Sequence, residues 1–151
     1  VIPPDDCKVL LTTPPAAIID NAAVVTAEID RLGYDYAQIE VFLGALDIAM
    51  TVLKVQESDV SGSGFADIVG TRFGTDNNDT GSASTLPSAT DDNKIFSFFL
   101  DLRGRKRYLD VSATVGDGAA GTFIVIVTRL WRSKDAPRTA AEAGYSQRMR
   151  V

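Results

Sequence analysis

The sequence predicts an all-β protein: a single antiparallel β-sandwich or jelly-roll-like barrel of about seven to eight strands, with extended N- and C-terminal arms. Three observations lead there. Short segments rich in β-branched and aromatic residues recur along the chain, and most alternate apolar with polar positions at the period of a half-solvated strand. Clusters of Gly, Pro, Asn and Asp separate these segments. No long segment carries the apolar period of a helix. At 151 residues, 45% hydrophobic and 23% charged, the chain has the length of one domain and an ordinary globular composition.

The elements are expected as follows. Pro3 and Pro4 make the opening an extended arm, and Cys7 to Thr13 is a short strand closed by Pro14 and Pro15. Val24 to Asp30 reads as a strand with Val25, Ala27 and Ile29 on one face. Tyr36 to Leu43 sets Ala37, Ile39, Val41 and Leu43 against Tyr36, Gln38, Glu40 and Phe42. Met50 to Ser58 follows, and the Gly44 to Asp47 turn suggests a hairpin between these two strands. Between Asp59 and Gly74, Ser61 to Gly64 is a flexible loop, Phe65 to Ile68 a helical turn and Val69 to Phe73 a short strand.

Thr75 to Lys94 is poor in large apolar residues, and a loop of about 20 residues without structure is uncommon inside a compact domain unless it is functional or mobile. Ile95 to Leu102, Tyr108 to Val115 and Thr122 to Trp131 are the strongest strands, expected as a three-strand meander. Residues 136–151 form a C-terminal arm in which Thr139 to Ala143 starts a brief helix; such an arm is expected to gain order from a partner. The expected organisation is an N-terminal arm and first strand over 1–15, a sandwich over 16–135 and the arm over 136–151.

Composition narrows the function. The chain has no histidine, which removes the commonest general acid/base and metal ligand near neutral pH and leaves Ser-His-Asp chemistry without its base. Its single cysteine, Cys7, permits no intrachain disulfide and fits folding in a reducing cytosol. No apolar run approaches a membrane span and no export signal opens the sequence, so a soluble protein is expected. Net charge is −5, divided into an acidic front (16 Asp and Glu against 5 Lys and Arg in residues 1–102) and a basic back (4 against 10 in residues 103–151).

Each chemical motif meets a plainer explanation. Gly116, Gly118 and Gly121 have the G-x-G-x-x-G spacing, but a strand follows where a nucleotide-binding loop needs a helix, so a hairpin turn is expected. Asp79, Thr80 and Gly81 spell the aspartic-protease triplet once, where that chemistry needs two carboxylates. Asp76, Asn78, Thr80 and Gly81 partly match a calcium loop, yet Pro87 stands where its closing Glu belongs. No metal and no cofactor is expected. Arg103, Gly104, Arg105, Lys106 and Arg107 form the densest basic cluster, a solvated turn or a docking surface for an acidic partner. Only Tyr108 accompanies it as a stacking aromatic, which argues against nucleic acid. Phe98 and Phe99 point to opposite faces of their strand, so one of them is outward.

Several segments together resemble the head-decoration, or cement, proteins of tailed bacteriophages. They are D-x-x-G-Y-D-Y-A-Q-I-E-V ending at Val41, V-L-K-V-Q-E to Glu57, F-A-D-I-V-G over Phe65 to Gly70 and D-D-N-K over Asp91 to Lys94. D-L-R-G-R-K-R-Y-L-D-V follows over Asp101 to Val111, with Gly104 where the family often has proline, then Ile124 to Pro137 with its Lys-x-x-Pro exit. The resemblance spans residues 16–137 and carries no active site. It implies a non-enzymatic virion protein, made in the bacterial cytoplasm, that binds the outer surface of an icosahedral capsid. The implied partners are the major capsid protein and further copies of the chain, trimers being favoured over dimers, with no direct nucleic acid and no membrane. The candidate contacts are Arg103, Arg105, Lys106, Arg107, Arg138, Arg148 and Arg150. The alternative from another class is a carbohydrate- or host-surface-binding sandwich using the Thr75 to Lys94 loop.

Overall fold

Alternation of buried and half-exposed side chains organises the computed structural model, which describes residues 6–135 and 139–149. The strands are β1 (Cys7–Thr13), β2 (Ile29–Asp30), β3 (Tyr34–Leu46), β4 (Val52–Ser58), β5 (Ala66–Asp67), β6 (Ile95–Asp101), β7 (Tyr108–Thr114) and β8 (Thr122–Ser133). They form two four-stranded sheets, β1-β8-β3-β6 and β2-β7-β4-β5, in which every pairing is antiparallel. The sheets pack as a sandwich. Ala37, Ile39, Val41 and Leu43 of β3 face Leu53 and Val55 of β4 and Leu109, Val111 and Ala113 of β7 in one buried core.

The expected hairpin between β3 and β4 does not form, and neither does the expected meander of β6, β7 and β8. Consecutive strands lie in opposite sheets in each case. The physical reason lies in the connections. Leu46, within the expected Gly44 to Asp47 turn, and Met50, just past it, are buried, at 4% and 1% exposed, as are Leu102 and Val115, just past β6 and β7, at 0% and 1%. An apolar side chain at the end of a strand gains more by entering the space between the layers than by sitting in an exposed two-residue turn, so the chain crosses over. The Gly116 to Gly121 loop is therefore a crossover and not the expected hairpin turn.

Three smaller expectations are also corrected. Only Ile29–Asp30 of the expected Val24 to Asp30 strand is a strand, and Val24 is buried where Val25 is 84% exposed. This stretch leans on both sheets, through Ala27 N–H to the Thr12 carbonyl (2.8 Å) and Val24 N–H to the Ala113 carbonyl (2.9 Å), so it cannot keep one strand's register. Ala66–Asp67 is a strand on β4 and not a helical turn, while Val69 to Phe73 is no strand. Thr71 there accepts from Val55 N–H (3.3 Å) and donates to the Val55 carbonyl (3.2 Å).

The long loop is built, not structureless. Asn77 and Ala83 form a bridge, Asp92 accepts from Leu46 N–H at 2.7 Å, and Met50 N–H donates to the Pro87 carbonyl at 2.8 Å. Its Asp, Asn and Ser side chains serve as turn-makers. At the other terminus, Ala143 is completely buried and its carbonyl accepts from Val9 N–H at 2.9 Å, so the segment 139–149 is docked on β1 at Ala143. Thr139 and Glu142 cap one another's main-chain N–H at 3.2 and 3.0 Å, a capping box closing a single turn where a brief helix was expected. Residues 1–5 of the expected N-terminal arm, with Arg138 and Arg150, lie outside the described residues.

Candidate docking surfaces

The Arg103 to Arg107 turn is compensated by acids from three strands. Arg103 grips Asp101 with two bonds, Nε to Oδ1 at 2.9 Å and Nη2 to Oδ2 at 2.6 Å, and lies 5.3 Å over the Tyr36 ring. Its guanidinium, helped by its main-chain N–H, holds the Asp101 carboxyl down at about 2. Arg107 grips Asp30 in the same two-bond manner at 3.0 and 2.8 Å and lies 5.0 Å over the Tyr108 ring. Arg105 pairs with Glu57 at 3.4 Å. Lys106 is exposed, and its main-chain N–H donates to Glu57 at 3.2 Å. Arg31 reaches in from β2's end to the Lys106 carbonyl at 3.0 Å and to that of Arg105. Of the four cations read from the sequence here, Lys106 alone has a side chain in no ion pair among the described residues. Arg148 is half-buried near the end of the described chain.

The two outer faces differ in chemistry. On the β2-β7-β4-β5 sheet the outward side chains, Val52 aside, are mostly polar and several are bound to one another: Lys54 pairs with Asp67 at 2.8 Å, Gln56 donates to Asp67 at 2.7 Å, and Thr26, just before β2, donates to Asp110 at 2.8 Å. On the β1-β8-β3-β6 sheet the register lines up one apolar row and one mixed row. Val125, Phe42 and Ile95 share one row, and Val9, Arg129, Gln38 and Phe99 another. Leu11 (53% exposed), Ile95 (57%), Phe99 (74%) and Phe123 (48%) all lie on this face, around a central Glu40–Arg129 ion pair. Sequence reading found that one of Phe98 and Phe99 is outward; alternation along β6 shows it to be Phe99, with Phe98 6% exposed.

A cleft of about 530 Å³ opens beside β6, walled by residues 70–73, 76–79 and Ser84 on one side and by Ile95 to Phe99 on the other. Its floor is aromatic, with Phe73 edge-on to Phe96 (centroids 5.3 Å apart) and to Phe98 (5.1 Å). Asp76 is used internally. Its carboxylate takes Arg72 Nε and Nη2 at 3.0 and 2.7 Å and the Gly70 N–H at 2.7 Å, which holds it far below the ordinary carboxylate range. That leaves it unsuited to the calcium-loop role its spacing suggested. Asp79 of the Asp-Thr-Gly triplet is exposed on the loop tip. Asn78 Oδ1 accepts from the N–H groups of Thr80 and Ser82 at 3.1 and 3.0 Å, a plain polar turn.

No family model matches the chain, and no curated protein matches it significantly. Among solved structures it is similar to the crystal structure of the SPBc2 prophage-derived protein YomS, at 13% sequence identity and a TM-score of 0.47 over 84% of this chain and 94% of that one.

Proposed function

We propose that this chain is a non-enzymatic virion structural protein that binds the outer surface of an icosahedral phage capsid and stabilises it by bridging capsomers. The carrying observation is the asymmetry of the sandwich: one outer face is mostly polar and internally bonded, the other exposes Leu11, Ile95, Phe99 and Phe123. Several large apolar side chains exposed on one face of a small protein, here around an ion pair, favour a place where another protein sits. The decoration-protein resemblance of the strand-and-turn segments supplies the kind of partner, the major capsid protein.

In this reading the apolar sheet face lies on the capsomers and the Arg103 to Arg107 turn stands at its rim, with trimers at threefold positions multiplying a modest contact into firm attachment. The chain would be made in the bacterial cytoplasm and end on the virion exterior, without cofactor, membrane or direct nucleic-acid contact. The test is cosedimentation of purified protein with expanded, undecorated heads, followed by cryo-EM of the pellet. Saturable binding with density at symmetry-related surface sites is expected. No binding at high concentration would sink the proposal and leave the host-surface reading, for which the exposed Phe99 beside Asn77, Asn78 and Asp79 is the favouring feature and a glycan screen the next step.

A further inference from the structure

The lateral edges of the two sheets are unequal. β2 and β5 are two residues long, too short to template another strand. β1 is covered, since Val9 N–H is held by the Ala143 carbonyl at 2.9 Å and the Thr12 carbonyl by Ala27 N–H at 2.8 Å. β6 has seven residues and, among the described residues, a strand partner on one side only. Leu43 N–H bonds the Lys94 carbonyl at 3.1 Å and Leu102 N–H the Asp35 carbonyl at 2.8 Å, which places the even-numbered residues' main-chain groups on β3. Antiparallel alternation then turns the N–H and C=O of Ile95, Ser97 and Phe99 to the free edge. The strand, IFSFFLD, contains no Pro, Lys or bulge of the kind that natural edges use to refuse pairing.

We propose that β6 accepts strand addition: an extended segment of another polypeptide lies along it as a fifth strand, with one apolar and one basic side chain entering the cleft. A strand at the usual spacing of about 4.8 Å from β6 occupies the cleft itself. Every second side chain of that strand points inward, where the Phe73, Phe96 and Phe98 rings receive an apolar group. The charge in the wall selects its neighbour. Asp76 is neutralised by Arg72, whereas the Asp79 carboxylate takes part in no hydrogen bond or ion pair among the described residues, so a lysine or arginine fits there. The remaining side chains lie beside Ile95 and Phe99 and cover their exposed surface. An extended chain, unlike a glycan, satisfies main-chain groups recurring at alternate residues. This inference rests on the edge geometry and does not depend on the capsid reading.

The test uses the full chain and a capped heptapeptide, KVFVKVT, followed by amide hydrogen exchange in NMR spectra. Saturable binding is expected, with new protection at Ile95, Ser97 and Phe99 and none at the residues between them. Two forms of the peptide, N-methylated at alternate residues in opposite phases, should then differ: one keeps its affinity and the other loses at least about tenfold. Ser97→Pro, which removes an edge N–H that β3 does not use, should weaken the unmodified peptide similarly; the peptide pair decides the matter if that variant misfolds. Equal affinity of the two N-methylated forms, non-alternating protection, or no saturable binding overturns the proposal. So does alternating protection in the unliganded chain that accompanies a dimer, because the edge would then belong to a second copy.

Discussion

Gly144 packs so closely on Val9 that a Cβ at position 144 would overlap the Val9 carbonyl, and its φ is +85°. No other residue type fits both the space and the left-handed backbone. Gly144→Ala should therefore release residues 139–149 from β1, costing about 1–3 kcal/mol. Denaturant melts and limited proteolysis read this directly: faster cleavage in the C-terminal segment, with the core strands still protected, is the expected pattern. Wild-type cleavage kinetics would show that the docking is dispensable.

Phe98 and Phe99 are adjacent in sequence and opposite in environment, at 6% and 74% exposed. Phe98→Ala empties a space beside Phe73 and should cost about 3–5 kcal/mol. Phe99→Ser should change stability by no more than about 0.5 kcal/mol, yet weaken binding to undecorated heads. If the Phe99→Ser chain binds heads at the wild-type level, the apolar sheet face is not the capsid contact.

How far the sequence could be read follows from the length over which each signal acts. Alternation is local, so the inward set of β3, Ala37 to Leu43, was legible residue by residue, as was the all-β sandwich. Sheet membership is not local. It depended on Leu46, Met50, Leu102 and Val115 turning into the core at strand ends, and nothing in a strand's own pattern tells a hairpin from a crossover. The basic turn was legible as a cluster, but its compensation by Asp30, Glu57 and Asp101 comes from three separate strands. The β6 edge and its cleft were missed for the same reason: an edge is defined by which strands are absent beside it. The one available signal was the unusual exposure demanded of Phe99 by Phe98.

Acid should destabilise the protein over a defined window. Asp76 is held well below the ordinary value of 3.8, chiefly by the Arg72 side chain, and Asp101 is held at about 2, chiefly by Arg103. A lowered folded-state value means stability fully present above the unfolded value and lost as pH falls through the folded one. With no histidine to titrate, the melting temperature should vary little between about pH 8 and 5 and decline from about pH 4 to 2. Asp76→Asn should lower stability near neutrality and flatten the acid limb. A wild-type slope in that variant would show that other carboxylates carry the effect.

The Asp30–Arg107 pair is about half exposed on both sides, 45% for Arg107 and 44% for Asp30, and surface pairs of this kind contribute about 0–1 kcal/mol. Arg107→Gln should thus barely move the denaturation midpoint. In cosedimentation, the same change together with Arg103→Gln should weaken attachment to heads and reduce its salt sensitivity, because rim charges act mainly through long-range attraction. Unchanged salt dependence would remove this turn from the contact.

Thr122 is wholly buried, and its hydroxyl oxygen has no hydrogen-bond partner among the described residues, although its main-chain N–H and C=O are held by Ile19 at 2.8 and 3.0 Å. A buried hydroxyl without a partner is desolvated and nothing is returned for it, whereas a methyl group of the same shape is favoured in that position. Thr122→Val keeps the β-branched form that β8 accepts and leaves the Ile19 main-chain bonds untouched, so it should stabilise the fold by about 1 kcal/mol. Urea denaturation with an unchanged m-value checks it. A destabilised Val variant would reveal an ordered water on the Thr122 hydroxyl, and its loss would then account for the cost.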